Sequence, residues 1–291
     1  MRAADRTATT HGRRGLLVAL LAALSLACVA RSSSPRPPQR PEPERAATAP
    51  TRRPAPALLS AQAVDATRPG GDPTFEVSLV FDVEIEASSL TPDRFLVMLE
   101  SGARVEPLRA DLAPASEGDE NRTVTLEVVA PEPPGDDGRA SQRPRAVVLI
   151  GLLHAEDGRV IEDLSADIGP PAPARLVLIE RREADETRCR GHKTALRTYW
   201  SLPVRPADDG AAIVIALADG RSITPAALDD MSEGSRPTAA AVADRHDNVI
   251  DLCLDDAGGD AVHVWIARGR FADLTGAPTS AADVDVPGRG A

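Results

Sequence analysis

The sequence predicts an all-β protein built as two tandem β-sandwiches, and three observations carry that prediction. Apolar and polar residues alternate over short runs. Clusters of Gly, Pro and Asp punctuate those runs. One half of the folded region repeats the other. Alternation with a period of two puts one face of a strand in a core, and short strands between turn signals suit a sandwich. No segment shows a sustained 3.6-residue period, so any helix should be short.

The strands can be read in order. Phe75, Val77, Leu79, Phe81 and Val83 recur at every second position, as do Phe95, Val97 and Leu99, and then Val124, Leu126 and Val128. Arg145–Leu153 is a more continuous apolar run, as for a strand buried on both faces, and it ends at His154-Ala-Glu-Asp-Gly158. Leu99-Glu-Ser-Gly-Ala-Arg-Val-Glu-Pro107 parallels Leu217-Ala-Asp-Gly-Arg-Ser-Ile-Thr-Pro225, placing Phe95 and Val97 on Ile213 and Ile215. Asn121–Val128 parallels Asp247–Leu254, and the second copy holds eight more residues before it, expected around Ser232–Arg245. Leu79, Phe81 and Val83 are aligned with Trp200, Leu202 and Val204. The expected division is a first sandwich over 58–168, a linker at 169–173 and a second sandwich over 174–291.

The region before residue 58 has a different character. Arg2, Arg6, Arg13 and Arg14 precede thirteen uncharged residues, Gly15 to Ala27. That stretch is too short for a membrane-spanning helix, which needs about 20 residues, and it suits a signal peptide. Leu24-Ser-Leu-Ala-Cys28 resembles the bacterial lipobox, with Ser25 where Leu is usual. The resemblance implies a signal peptide over 1–27 and Cys28 as the acylated N-terminus of a lipoprotein. Val29 after the Cys implies the outer membrane, on its periplasmic face or at the cell surface. Residues 28–57 are then the lipidated Cys and a Pro/Arg-rich tether, expected to be disordered and extended. At about 3.1 Å per residue its reach is about 90 Å.

The first copy is similar to the bacterial Ig-like domains of envelope and S-layer proteins. Phe75–Ile85, Ser88-Ser-Leu-Thr-Pro-Asp-Arg-Phe95 and the Leu99–Val105 hairpin carry the likeness. It implies a short helical turn between two strands, with Thr91 capping, Pro92 opening the turn, and Leu90 packing on Phe95. The second copy has Ala207-Asp-Asp-Gly210 in that place. The whole layout is similar to lipoproteins common in myxobacteria.

Charge excludes some partners. The chain carries −11, yet its first 57 residues hold ten Arg against three acids, so residues 58–291 carry −18. A body this acidic excludes nucleic acid and is repelled by an anionic bilayer. With seven aromatic residues in all, the core must be Val, Leu, Ile and Ala. Trp200 and Trp265 are expected in the core, and Tyr199, opposite Trp200, toward solvent.

Lipidation of Cys28 leaves Cys189 and Cys253, which an oxidising compartment would pair. The repeat places Cys253 on Glu127, away from the core, so the bridge should hold the Glu183–His192 segment across the outer face of the second sandwich. The rival is a Zn²⁺ site of Cys189, His192, His246 and Cys253. His154 and His246 read as solvated turn residues and His263 as a sheet-face residue. Asp-rich turns such as Asp208-Asp-Gly210 lack the spacing of a Ca²⁺ loop. No nucleophile motif occurs, and no cofactor is expected. The expectation is a non-enzymatic envelope lipoprotein, a spacer or interaction module meeting an envelope protein or polymer. The alternatives are a glycan- or Ca²⁺-binding lipoprotein and a hydrolase of unrecognised type.

Overall fold

A computed structural model describes residues 54–67, 71–113, 121–131, 142–184, 188–207, 212–229, 247–255 and 260–288. The expected signal peptide, Cys28 and the expected tether up to Arg53 lie outside the described residues, as do His246 and the Ser232–Arg245 segment. The fold is all-β and antiparallel.

In the first half, β1 (Leu58–Asp65), β2 (Thr74–Phe81), β6 (Thr123–Val129) and β5 (Arg109–Leu112) form one sheet in the order β1-β2-β6-β5. The facing sheet has the order β10-β7-β3-β4, from β10 (Ser165–Asp167), β7 (Pro144–Leu149), β3 (Phe95–Leu99) and β4 (Arg104–Val105). Strands β8 (Leu153–His154) and β9 (Val160–Ile161) make a small hairpin. The alternating residues of β2, β3 and β6 point between the sheets: Val77, Leu79, Phe81, Phe95, Val97, Leu99, Val124, Leu126 and Val128 share one core.

The second half has the same order. One sheet runs β11-β12-β16-β15, from β11 (Leu176–Glu183), β12 (Thr194–Pro206), β16 (Asp247–Leu254) and β15 (Ala227–Asp229). The other runs β14-β13-β17-β19, from β14 (Ser222–Ile223), β13 (Ile213–Leu217), β17 (Ala261–Ile266) and β19 (Ala282–Asp285). Strand β18 (Phe271–Asp273) joins the far end of β12. The isolated pair Ile85–Ala155 does the same for the end of β2. The repeated hairpins match bond for bond. Gly102 N–H donates to Leu99 and Gly220 N–H to Leu217, both at 2.9 Å, with the glycines at φ 83° and 85°. Only a residue without Cβ takes that conformation cheaply.

The structure corrects several details. Strand pairing sets Leu126 opposite Val77 and Leu252 opposite Leu196. The register therefore places Phe81 on Trp200 and Leu79 on Thr198, one residue pair away from the sequence alignment. Thr198 is fully buried and takes a core position because it serves its neighbours. Its hydroxyl donates to the Ile250 carbonyl at 2.7 Å and accepts the Trp200 indole N–H at 3.1 Å. The run Arg145–Leu153 is not one strand: it turns after Leu149, and Ile150 and Leu152 are exposed. The segment before β3 makes two 3-10 turns, Ala87–Ser89 and Pro92–Arg94. Pro92 opens the second, but the Thr91 side chain makes no capping bond. Leu90 and Phe95 both pack on the first core. The body also begins before Leu58, because Ala57 exchanges backbone and side-chain bonds with Asp82.

The two halves touch along the outer faces of β2, β12 and β16. Val80, Tyr199 and Val249 form a small apolar cluster there. Around it, Arg122 pairs with Glu180 at 2.7 Å, Arg182 with Glu84 at 2.9 Å and with Glu180 at 3.1 Å. Asn248, fully buried, donates to the Thr123 hydroxyl and to the Trp200 carbonyl.

Thr198→Val keeps the shape but strands the buried indole N–H. It should cost about 1–3 kcal/mol, read as a lowered urea midpoint with an unchanged slope.

Candidate functional site

Two places on the second half gather chemistry-bearing side chains. The first lies on the outer face of β12 and β16. Ile250, Leu252 and Leu254 face the core, so Asp251 and Cys253 face outward, yet both are buried. The Cys189–Cys253 disulfide closes over them, with Cα atoms 5.2 Å apart. Cys189 sits at φ 52° and Gly191 at φ 90°, so the chain turns sharply around the bridge, and His192 N–H donates back to the Cys189 carbonyl. The Asp251 carboxylate accepts Arg197 Nε and Nη2 at 2.9 Å each, and Arg188 Nη1 at 3.2 Å. A carboxylate taken out of water needs such a paired, hydrogen-bonded surround.

This arrangement decides between the two cysteine readings. The sulfurs are bonded to each other, which removes both thiolates from the expected Zn²⁺ set of Cys189, His192, His246 and Cys253; His246 lies outside the described residues. His192 turns its Nδ1 to Asp255 at 2.8 Å. Asp229 is the third ligand-type group near the sulfurs, and its carboxylate accepts the Cys189 N–H at 2.6 Å. The bridge holds Arg188–His192 on the outer face, where the repeat placed it. What sequence reasoning missed is the pair beneath: Arg197 and Asp251 lie directly across from each other on β12 and β16. Opposite charges at facing positions of matched strands are the signal that could have found them.

Tyr199 is a second correction. It is fully buried rather than exposed, under the Arg122 guanidinium at 5.6 Å from its ring. Burial, then the charge of Glu180, raises its pKa above the usual tyrosine value. Burial works against the charge of Arg182. The hydrogen bond to Glu84 and the charge of Glu180 outweigh it and hold that guanidinium firmly protonated.

The second place is the outer face of β17 and β19. Trp265, expected in the core, lies 40% exposed there, whereas Trp200 is fully buried against Phe271 at 5.0 Å. His263, as read, is a sheet-face residue. Its Nε2 lies 2.6 Å from Asp283 and its Nδ1 2.8 Å from Asp285. With both ring nitrogens facing carboxylates, the imidazolium is the favoured form. The hydrogen bond to Asp285 is the largest cause of a pKa raised above 6.5; partial desolvation opposes it, and Asp283 adds to it. His154, by contrast, is exposed on the β8–β9 hairpin, away from these groups.

A raised folded-state pKa gives stability that is fully present below about pH 6.5 and fades as pH rises through the folded value. Proton-detected titration of His263 should therefore show a midpoint above the ordinary 6.5, and Asp285→Asn should return it toward that value. A midpoint at or below 6.5 in the unaltered protein would contradict the geometry.

No protein-family model matches the chain, and no curated protein is similar to it. Two solved structures resemble it loosely: the N-terminal part of the bacterial S-layer protein SbsC, and the S-layer protein rSbsC(31-844). Each aligns with 80% of this chain at 14% identity and a TM-score of 0.27. The alignments span 44% and 26% of those chains, so this chain matches less than half of either.

Proposed function

We propose that this chain is an envelope lipoprotein, anchored through Cys28, whose folded body acts without catalysis as a stand-off spacer and protein-interaction module. The observation that carries the reading is the joint between the two sandwiches. Val80, Tyr199 and Val249 are buried together, and Arg122, Arg182, Glu84 and Glu180 pair around them. Such a joint couples two β-sandwiches into one body, which is what a spacer requires. Flexible tandem domains would behave as a string instead.

The sequence supplies the rest. A lipobox-like Leu24–Cys28 precedes a Pro/Arg-rich stretch long enough to hold an acidic body away from lipid headgroups. A diacyl or triacyl Cys anchors stably where a single chain does not. Among the described residues no helix is long and apolar enough to cross a membrane. Outer-membrane placement follows Val29 and belongs to the same proposal.

Mass spectrometry of the N-terminal peptide from membranes tests the anchor. It should begin at Cys28 and carry two or three acyl chains, and Cys28→Ala should move the protein from the membrane to the soluble fraction. An N-terminus elsewhere, or an unmodified Cys28, would defeat the proposal.

A further inference from the structure

The internal repeat provides a control for which surface residues the fold itself requires. On the outer face of the second sandwich, Val214 pairs across the strands with Trp265, and Trp265 with Asp283. Ala216 pairs with His263, and His263 with Asp285. The same ladder positions in the first sandwich are Leu96, Val148 and Ser165, then Met98, Ala146 and Asp167. The first copy forms this ladder with small and aliphatic side chains and one carboxylate, Asp167. Trp265, His263 and Asp283 are therefore not needed to make the strands or their register. They replace Val148, Ala146 and Ser165 on a face that points away from the core.

The substituted face has a definite chemistry. Trp265 is 40% exposed, so part of its indole surface meets solvent. The Asp283 and Asp285 side chains are 73% and 93% exposed. His263 engages Oδ1 of each, which leaves Oδ2 for a second donor. With His263 protonated, the two carboxylates still leave a net negative charge beside the indole. An indole face attracts a cation through its quadrupole, and a guanidinium both stacks flat and reaches a carboxylate with two donors. The surrounding body carries −18, so the long-range field also favours a basic ligand.

We infer that the β17–β19 face of the second sandwich is a docking site for an arginine-bearing basic peptide segment of a partner protein. One arginine side chain stacks on Trp265 and bonds to Asp283, and Asp285 and the acidic body orient the segment. This deepens the interaction-module reading and rests on it, while being independent of the lipid anchor.

The test is calorimetric titration of hexa-arginine into the full-length chain in non-ionic detergent. A saturable heat is expected. Trp265→Ala and Asp283→Asn should each weaken binding about tenfold, with far-UV circular dichroism unchanged. Asp167→Asn, at the position in the first sandwich that matches Asp285, should bind as the unaltered chain does. The proposal is overturned if no saturable heat appears, if Trp265→Ala and Asp283→Asn bind normally, or if Asp167→Asn costs as much. It is equally overturned if chitohexaose saturates the face and hexa-arginine does not. Any of these failures leaves the Cys28 mass measurement untouched, so loss of the docking site and loss of the anchor remain distinguishable.

Discussion

Burial of β12 and β16 on both faces is the constraint on which the rest of the structure depends. In an antiparallel sandwich one face of each strand meets the core and the other meets water. Here eight consecutive residues of β12 are buried, and all of β16 after Asp247. The inward face is an ordinary apolar core around Trp200, Ile250 and Leu252. The outward face is covered twice, by the first sandwich at Tyr199 and Val249 and by the disulfide-held segment at Asp251 and Cys253. Burial there favours polar groups that find partners inside the protein, because water is excluded. The Arg197–Asp251 pair, the Asn248 bonds and the Arg122–Glu180 bridge are consequences of that second burial.

The same constraint sets where the sequence could be read and where it could not. Alternation reports which residues share a face, so the cores around Leu79 and Leu126 were legible at once. The repeat added that Cys253 faces away from the core, and hence that its partner segment crosses the outside. Alternation does not report whether the second face is covered. Alternation therefore predicts Tyr199 in solvent and Trp265 in the core, whereas Tyr199 is buried and Trp265 exposed. The alignment of β2 with β12 slipped by one residue pair for a related reason. It matched apolar residues to apolar residues, and Thr198 occupies a core position through hydrogen bonding rather than hydrophobicity. The apolar composition of Arg145–Leu153 hides a turn after Leu149, where Ile150 and Leu152 are exposed.

The two copies have diverged in what their surfaces do. The first uses its β2–β6 sheet to meet the second half. The second adds a disulfide, a buried ion pair and a tryptophan-bearing acidic face to the same ladder. Fold and surface chemistry are separable here: the shared strand order explains the scaffold, and the differences between matched positions point to what was added to it. The proposed anchor at Cys28 precedes both sandwiches in the sequence, and the proposed docking face at Trp265 belongs to the second.

In the proposed spacer the joint makes the two sandwiches one body. Both tryptophans belong to the second sandwich, so tryptophan emission reports that half alone, whereas far-UV circular dichroism reports strands from both. Urea unfolding followed by both signals tests the claim directly. A coupled pair of sandwiches gives a single transition with coincident midpoints. Two separated midpoints, with strand signal lost at a different urea concentration from the fluorescence change, would contradict it.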